Sequence, residues 1–325
     1  MMKVRKAKVL LVSVHDVHTF WDEGIVEAFR DRHDLKFYDE NKPMAGQFAG
    51  VEVVLDIGGW GTRELIDAAS DAHVRLWQVQ GTGLDHMDVP YLKSKGIMVA
   101  NCRGQTTSVG LAELAMMFML MLGHKFHEAS VNVQNRILGM PFGQVLDGLT
   151  LGVVGFGASG QELAIRAKPF GMRLEVIDAL PISSDVLEKT RPDFVGTPDD
   201  LDRLMAQSDF ISLHVPSTKQ THHLIDARRL AMMKPTACLI NVARGALVDE
   251  EALYQALVDG KLGGAGLDVV TKEPADPTLD LYKLPNVFIT PHLAGSTDDA
   301  IRKRAAVALE NVDRIAQGLE PLYRV

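Results

Sequence analysis

Along this chain an arginine, a histidine and several carboxylates fall where apolar strands end. His214-Val215-Pro216 follows the run Phe210–Leu213, and Asn241-Val242-Ala243-Arg244-Gly245 ends the next. Asp268 closes the strand through Gly266-Leu267 with Glu273 just beyond it, and Thr290-Pro291-His292 ends the last. An earlier strand ends in the glycine turn Gly81-Thr82-Gly83-Leu84-Asp85. In open α/β sheets ligands bind outside the carboxyl ends of the strands, so residues at such ends share a site. One arginine, one histidine and one carboxylate there are what reduction of a 2-keto acid requires. An arginine fork holds the substrate carboxylate and polarises the neighbouring carbonyl better than a lysine does. An imidazole, which titrates near neutral pH, gives a proton to the carbonyl oxygen as hydride reaches the carbon. A carboxylate beside the imidazole orients it and favours its charged form. Taken singly, a histidine is more often structural, an arginine a surface charge, and a glutamate before proline a loop residue. Their joint placement carries the reading.

A hydride carrier is implied by a second pattern. Leu151-Gly152-Val153-Val154 is an apolar strand that runs into Gly155-Phe156-Gly157-Ala158-Ser159-Gly160, and Gln161–Ala167 reads as a helix. Gly155 permits the tight turn, Gly157 lets backbone approach a pyrophosphate, and Gly160 lets helix pack closely on strand. The helix N-terminus offers free N–H groups and a positive dipole end to phosphates. The next apolar strand, Leu174–Ile177, ends in Asp178. A carboxylate there suits the ribose hydroxyls of NAD and repels the extra phosphate of NADP. The residues thus read as an NAD site.

The elements that must position these groups follow from the rest of the chain. Its 325 residues are enough for two domains with sizeable cores. Apolar content of 46% and charged content of 23% are ordinary for a globular enzyme. The net charge of −8 speaks against a nucleic-acid partner. The two cysteines, Cys102 and Cys238, form neither metal-ligand spacing nor a disulfide framework, as expected in a reducing cytoplasm. The basic start resembles a signal n-region, but the apolar run Val9–Val14 is too short for an h-region and meets His15-Asp16. The longest apolar run, Leu114–Leu122, falls short of the roughly 20 residues of a membrane span, and its methionines (Met116, Met117, Met119, Met121) read as packing. No membrane partner is expected.

Short β-branched runs alternate with helical patterns, the mark of parallel sheets with crossover helices. Strands are expected at Lys8–Val14, Leu35–Tyr38, Glu52–Asp56, Val74–Val79 and Ile97–Ala100 in the first third. After the glycine turn they are expected at Arg173–Ile177, Phe210–His214, Cys238–Val242, Gly264–Val269 and Val287–Thr290. The break between the sets lies in Asn101–Ser108, and a last helix, Ser296–Gln317, is expected to return to the first domain. The expected architecture is α/β. Residues 1–104 and 295–325 form a substrate-binding domain, and an NAD-binding domain, 105–294, is inserted in it.

Three motifs, GFGASG with Asp178, NVARGALVDEEAL, and GAGLDVVTKEP followed by TPHLAGST, give the chain its resemblance to the D-isomer-specific 2-hydroxyacid dehydrogenase family. That family includes phosphoglycerate, glyoxylate/hydroxypyruvate and D-lactate dehydrogenases, with formate dehydrogenases and CtBP-type corepressors as relatives. The resemblance implies two doubly wound parallel-sheet domains, a Rossmann NAD domain inserted in a flavodoxin-like one, with a cleft between them and a homodimer formed by the nucleotide domains. It places the catalytic arginine on Arg244, the carboxylate on Glu273 and the proton-transferring histidine on His292. It puts Asp268 near the nicotinamide, His214 and Pro216 along the adenine and ribose side, and the substrate carboxylate on Thr82 and Gly83. Glu273 favours a 2-hydroxy acid reaction over formate oxidation, where relatives carry glutamine.

Departures bear on the substrate. Phosphoglycerate enzymes place an arginine just after the third strand, whereas this chain reads Leu55-Asp56-Ile57-Gly58-Gly59-Trp60-Gly61 with no cation before Arg63. Asp56 would repel a phosphate there. Arg103 in the crossover loop is a candidate compensating charge, and Trp60 either narrows the pocket or packs at the domain edge. The chain ends at Val325, without the regulatory extension of long phosphoglycerate enzymes. Ser159 replaces an apolar residue common in the glycine motif. The expected activity is NAD(H)-linked interconversion of a small D-2-hydroxy acid and its 2-keto acid, with glyoxylate or hydroxypyruvate favoured. A short-form phosphoglycerate dehydrogenase and a CtBP-like NADH-sensing scaffold are the alternatives.

Overall fold

The computed structural model describes residues 5–13, 20–58 and 61–325; His15, Asp16 and Trp60 lie outside them. Contacts divide the chain into two units, Met1–Thr106 with Thr297–Val325, and Thr107–Ser296.

The first unit holds β1 (Lys8–Ser13), β2 (Asp34–Phe37), β3 (Val53–Ile57), β4 (Leu76–Val79) and β5 (Met98–Ala100). They form one sheet in the order β2-β1-β3-β4-β5, with every pairing parallel. This is the flavodoxin-like order. Because helices cover both faces, its central strands carry near-continuous apolar runs, interrupted by Asp56 and Gln78, instead of alternating. Leu10, Val12, Val54, Trp77 and Val79 enter one core layer. Their strand neighbours Val9, Leu11, Val53, Leu55 and Leu76 enter the other. The second layer is closed by Ile25 and Phe29 and by Ala305, Ala308, Val312 and Ile315 of the final helix, Asp298–Ala316. That helix starts at Thr297, whose side chain accepts the Ala300 N–H.

Asn311 fastens the returning helix. It is fully buried, donates to Gln78 Oε1 (2.5 Å) and to the Leu322 carbonyl (3.1 Å), and accepts the Leu322 N–H (2.6 Å). The tail beyond it lies against β5, with an antiparallel bridge between Ala100 and Arg324 and a bond from Val325 N–H to the Val99 carbonyl.

In the second unit lie β6 (Thr150–Val154), β7 (Arg173–Ile177), β8 (Phe194–Gly196), β9 (Phe210–Leu213), β10 (Cys238–Asn241), β11 (Gly264–Leu267) and β12 (Val287–Ile289). The sheet order is β12-β11-β10-β9-β6-β7-β8, again all parallel. Strands run outward in both directions from β6 and β9, so the order reverses between those two, the Rossmann switch point. The sequence reading missed β8, a three-residue edge strand after Pro192 and too short to show periodicity. The methionine-rich helix, Ser108–Gly123, buries Met116 and Met119 against this sheet and leaves Met117 exposed. Among the described residues no single helix is long and apolar enough to cross a membrane.

Replacing Asn311 by alanine leaves Gln78 Oε1 and the Leu322 N–H and carbonyl without these partners, at about 1–3 kcal/mol. The urea midpoint of Asn311→Ala is expected to fall accordingly; an unchanged midpoint would refute the fastening role.

Candidate active site

The glycine turn sits at the switch point, between β6 and the helix Ala158–Ala167. Gly155 has φ +91°, and a Cβ there would come within 2.7 Å of the His214 carbonyl oxygen. A Cβ on Gly160 would strike the Gly155 carbonyl, whereas Gly157 faces open space. The helix has no side-chain cap at Gly157, so its first-turn N–H groups remain donors. At the end of β7, Asp178 turns its carboxylate back to the turn, accepting the Phe156 N–H (2.5 Å) and the Leu180 N–H (2.8 Å). A phosphate cradle with a carboxylate beside it fits a dinucleotide whose ribose hydroxyls are free. His214 lies within 2.9 Å of both Ser159 and Ser212, and Pro216 is exposed on the loop after β9.

The second group gathers at the ends of β10, β11 and β12. Asn241, buried at the end of β10, accepts the Ala243 N–H (3.1 Å) and donates to the Arg244 carbonyl (2.8 Å). This holds the loop that presents Arg244, whose Nη1 donates to the Ala243 carbonyl (2.7 Å). A Cβ on Gly245 would overlap the Val270 backbone, so glycine is what lets this loop lie against the segment leading to Glu273. Glu273 accepts the Val270 N–H (3.2 Å) on one oxygen and meets His292 Nδ1 at 2.8 Å on the other. Partial burial would raise the Glu273 pKa. The His292 bond and charge, the Val270 N–H and the Arg244 charge outweigh it and hold the carboxyl below its ordinary value.

His292 has φ +52°, a conformation rare outside glycine. Its N–H is tied to the Asp268 carbonyl (2.8 Å). Asp268, which the family resemblance puts near the nicotinamide, has its side chain inside the protein. It is 1% exposed and accepts Thr290 Oγ1 (2.6 Å), Leu293 N–H (2.8 Å) and Ala294 N–H (3.0 Å). Its carboxylate is therefore directed into the protein, where it clamps the segment on both sides of His292.

Thr82 and Gly83 follow β4 in the first unit. Their turn is held by Cys102 N–H on the Gly81 carbonyl (2.9 Å) and by Asn101 Nδ2 on the Thr82 carbonyl (2.7 Å). Among the described residues their own N–H groups make no hydrogen bond. Asp56, read from the sequence as a charge that would repel a phosphate, is completely buried and accepts the Trp77 indole N–H (2.8 Å). Arg63 is paired with Asp88 (2.8 Å) and lies 4.6 Å from the Tyr91 ring centre, and Arg103 lies 4.8 Å from that of Tyr323. Asp88 also caps the helix Val89–Ser94, accepting the Tyr91 N–H. A surface cavity of about 380 Å³, lined by Leu122, Phe142, Phe210, Cys238 and Phe288, lies by the beginnings of β9 and β10, the opposite end from Arg244 and His292.

The model of the D-isomer specific 2-hydroxyacid dehydrogenase NAD binding domain matches residues 116–294. The chain is 39% identical over 265 residues to a hydroxypyruvate reductase of Thermotoga maritima, covering 79% of this chain and 81% of that one. It is 36% identical over 263 residues to a D-3-phosphoglycerate dehydrogenase of Methanocaldococcus jannaschii, covering 79% of this chain but 48% of that longer one. A crystal structure of D-lactate dehydrogenase from Aquifex aeolicus, complexed with NAD and lactic acid, matches with a TM-score of 0.80 at 31% identity, over 95% of this chain and 96% of that one. With a nucleotide turn at the switch point of its second sheet and the family model spanning more than half its length, this chain belongs to the D-isomer specific 2-hydroxyacid dehydrogenase family and is an NAD-dependent oxidoreductase of 2-hydroxy acids.

Proposed function

We propose that the preferred substrate is a small unphosphorylated 2-keto acid, of the glyoxylate or hydroxypyruvate kind, and that Arg244, Glu273 and His292 are the catalytic residues. The observation that carries the roles is the 2.8 Å pairing of His292 Nδ1 with Glu273. It leaves Nε2, which makes no hydrogen bond among the described residues, to hold a proton for the substrate oxygen. Glu273, kept ionised, is the counter-charge of the imidazolium that gives up that proton. Arg244 is the ligand of the substrate carboxylate, and in the first unit Thr82 and Gly83 are assigned to substrate binding. NADH supplies the hydride equivalent when bound. The pairing of Arg63 with Asp88 supports an unphosphorylated acid, because the first cation after β3 is already occupied.

We also assign the protein to the cytoplasm and to a homodimer. Both cysteines are buried, with their thiol pKa pushed up to about 12 by that burial, which suits a reducing compartment. The stretch after the methionine-rich helix supports a partner copy of the nucleotide domain, for it exposes Phe126, Val133, Leu138 (97%), Phe142 (79%) and Val145.

Purified protein is expected to oxidise NADH with glyoxylate or hydroxypyruvate faster than with a phosphorylated 2-keto acid. His292→Ala should cut kcat by about 10²–10⁴-fold while NADH binding is kept. Preference for the phosphorylated acid would overturn the substrate assignment, and equal turnover after His292→Ala would overturn the proton donor. NADH binding without turnover in either protein would instead indicate a sensing scaffold. Asp178→Ala should weaken NADH binding by about tenfold and narrow the preference over NADPH; an unchanged preference removes its ribose role. In sedimentation, Leu138→Asp combined with Phe142→Asp is expected to give monomers from a dimeric parent, and persistence of the dimer would exclude that face.

A further inference from the structure

Ser159, the polar departure within the glycine turn, does not simply face solvent. Its hydroxyl lies 2.9 Å from His214 Nδ1, and His214 Nε2 lies 2.9 Å from Ser212 Oγ. The three side chains form one line from inside β9, past its end, to the first turn of the helix Ala158–Ala167.

Burial sets the direction of the hydrogens along that line. Ser212 is completely buried, and among the described residues its hydroxyl has one hydrogen-bond partner, His214 Nε2. A buried hydroxyl hydrogen without an acceptor is costly, so Ser212 donates and Nε2 accepts. His214 keeps some exposed surface, yet burial of its imidazole pushes the pKa down to about 3, so the ring is neutral and carries one hydrogen. With Nε2 accepting, that hydrogen is on Nδ1 and is donated to Ser159 Oγ. Ser159 accepts, and its own hydrogen is not engaged among the described residues.

We infer that Ser159 is a phosphate-binding hydroxyl of the dinucleotide site, and that Ser212 and His214 are positioning residues that leave its hydrogen available to the pyrophosphate. This rests on the glycine turn being the NAD site. An anion at the open face of Gly157 then meets the uncapped first-turn N–H groups and one O–H donor together. A purely structural Ser159–His214 tie would affect every ligand of the site alike, whereas a phosphate donor affects only ligands that carry a pyrophosphate.

Calorimetric titration of NADH and ADP-ribose, with NMR titration of adenosine, separates the two. Ser159→Ala is expected to weaken NADH and ADP-ribose by about tenfold and to leave adenosine unchanged, with Ser159→Thr restoring most of the loss. Nitrogen-15 spectra of the wild type should show the His214 hydrogen on Nδ1. Equal ADP-ribose affinity in Ser159→Ala, an equal loss for adenosine, or the hydrogen on Nε2 would each overturn the inference. Wild-type protein that binds adenosine but neither pyrophosphate ligand would overturn the dinucleotide reading itself, and this inference with it.

Discussion

A carboxylate with 1% of its surface exposed organises the strand-end cluster of Arg244, Glu273 and His292 in the nucleotide domain. Asp268 cannot be buried as an ion without donors, because the desolvation of an unpaired charge is far larger than a domain's net stability. Thr290, Leu293 and Ala294 supply those donors, and all three belong to the segment that carries His292. The same interaction therefore satisfies the charge and holds His292 in a left-handed conformation that few side chains adopt. With the imidazole so placed, Glu273 can reach Nδ1. The Glu273–His292 pair is partly exposed, and the fully buried Asp268 supports the segment that carries His292.

Parallel topology explains why so few residues suffice. Each strand of the seven-stranded sheet delivers its carboxyl end to one edge, so residues far apart in the chain, Asp178, Arg244 and His292, need no long connections to share that edge. Glycines decide how closely the loops approach there. Gly155 lets the turn bend beside His214, and Gly245 lets the arginine loop lie on the Val270 backbone.

Much of this was legible in the residues before any coordinates. Short apolar runs mark eleven of the twelve strands among the described residues, including the strand before the glycine turn, because most of these strands are buried on both faces. What escaped was of another kind. β8 is too short to have a period. Asn241, Asn311 and Ser212 act by satisfying buried partners, and a lone polar residue in an apolar run carries no signal of which partner that is. Asp56 is a similar case: it lies near the end of an ordinary strand, and nothing in the sequence shows that its buried carboxylate accepts the Trp77 indole N–H. Ser159 was visible only as an oddity in a motif until His214 was seen beside it.

A member of the D-isomer specific 2-hydroxyacid dehydrogenase family moves hydride between NADH and a 2-keto acid with one stereochemical outcome. NADH deuterated at both C4 positions, incubated with the protein and hydroxypyruvate, tests it directly through NMR and chiral separation of the product. The account predicts the D-2-hydroxy acid with deuterium on C2. The L-isomer, a product without deuterium, or no product despite bound NADH would contradict it.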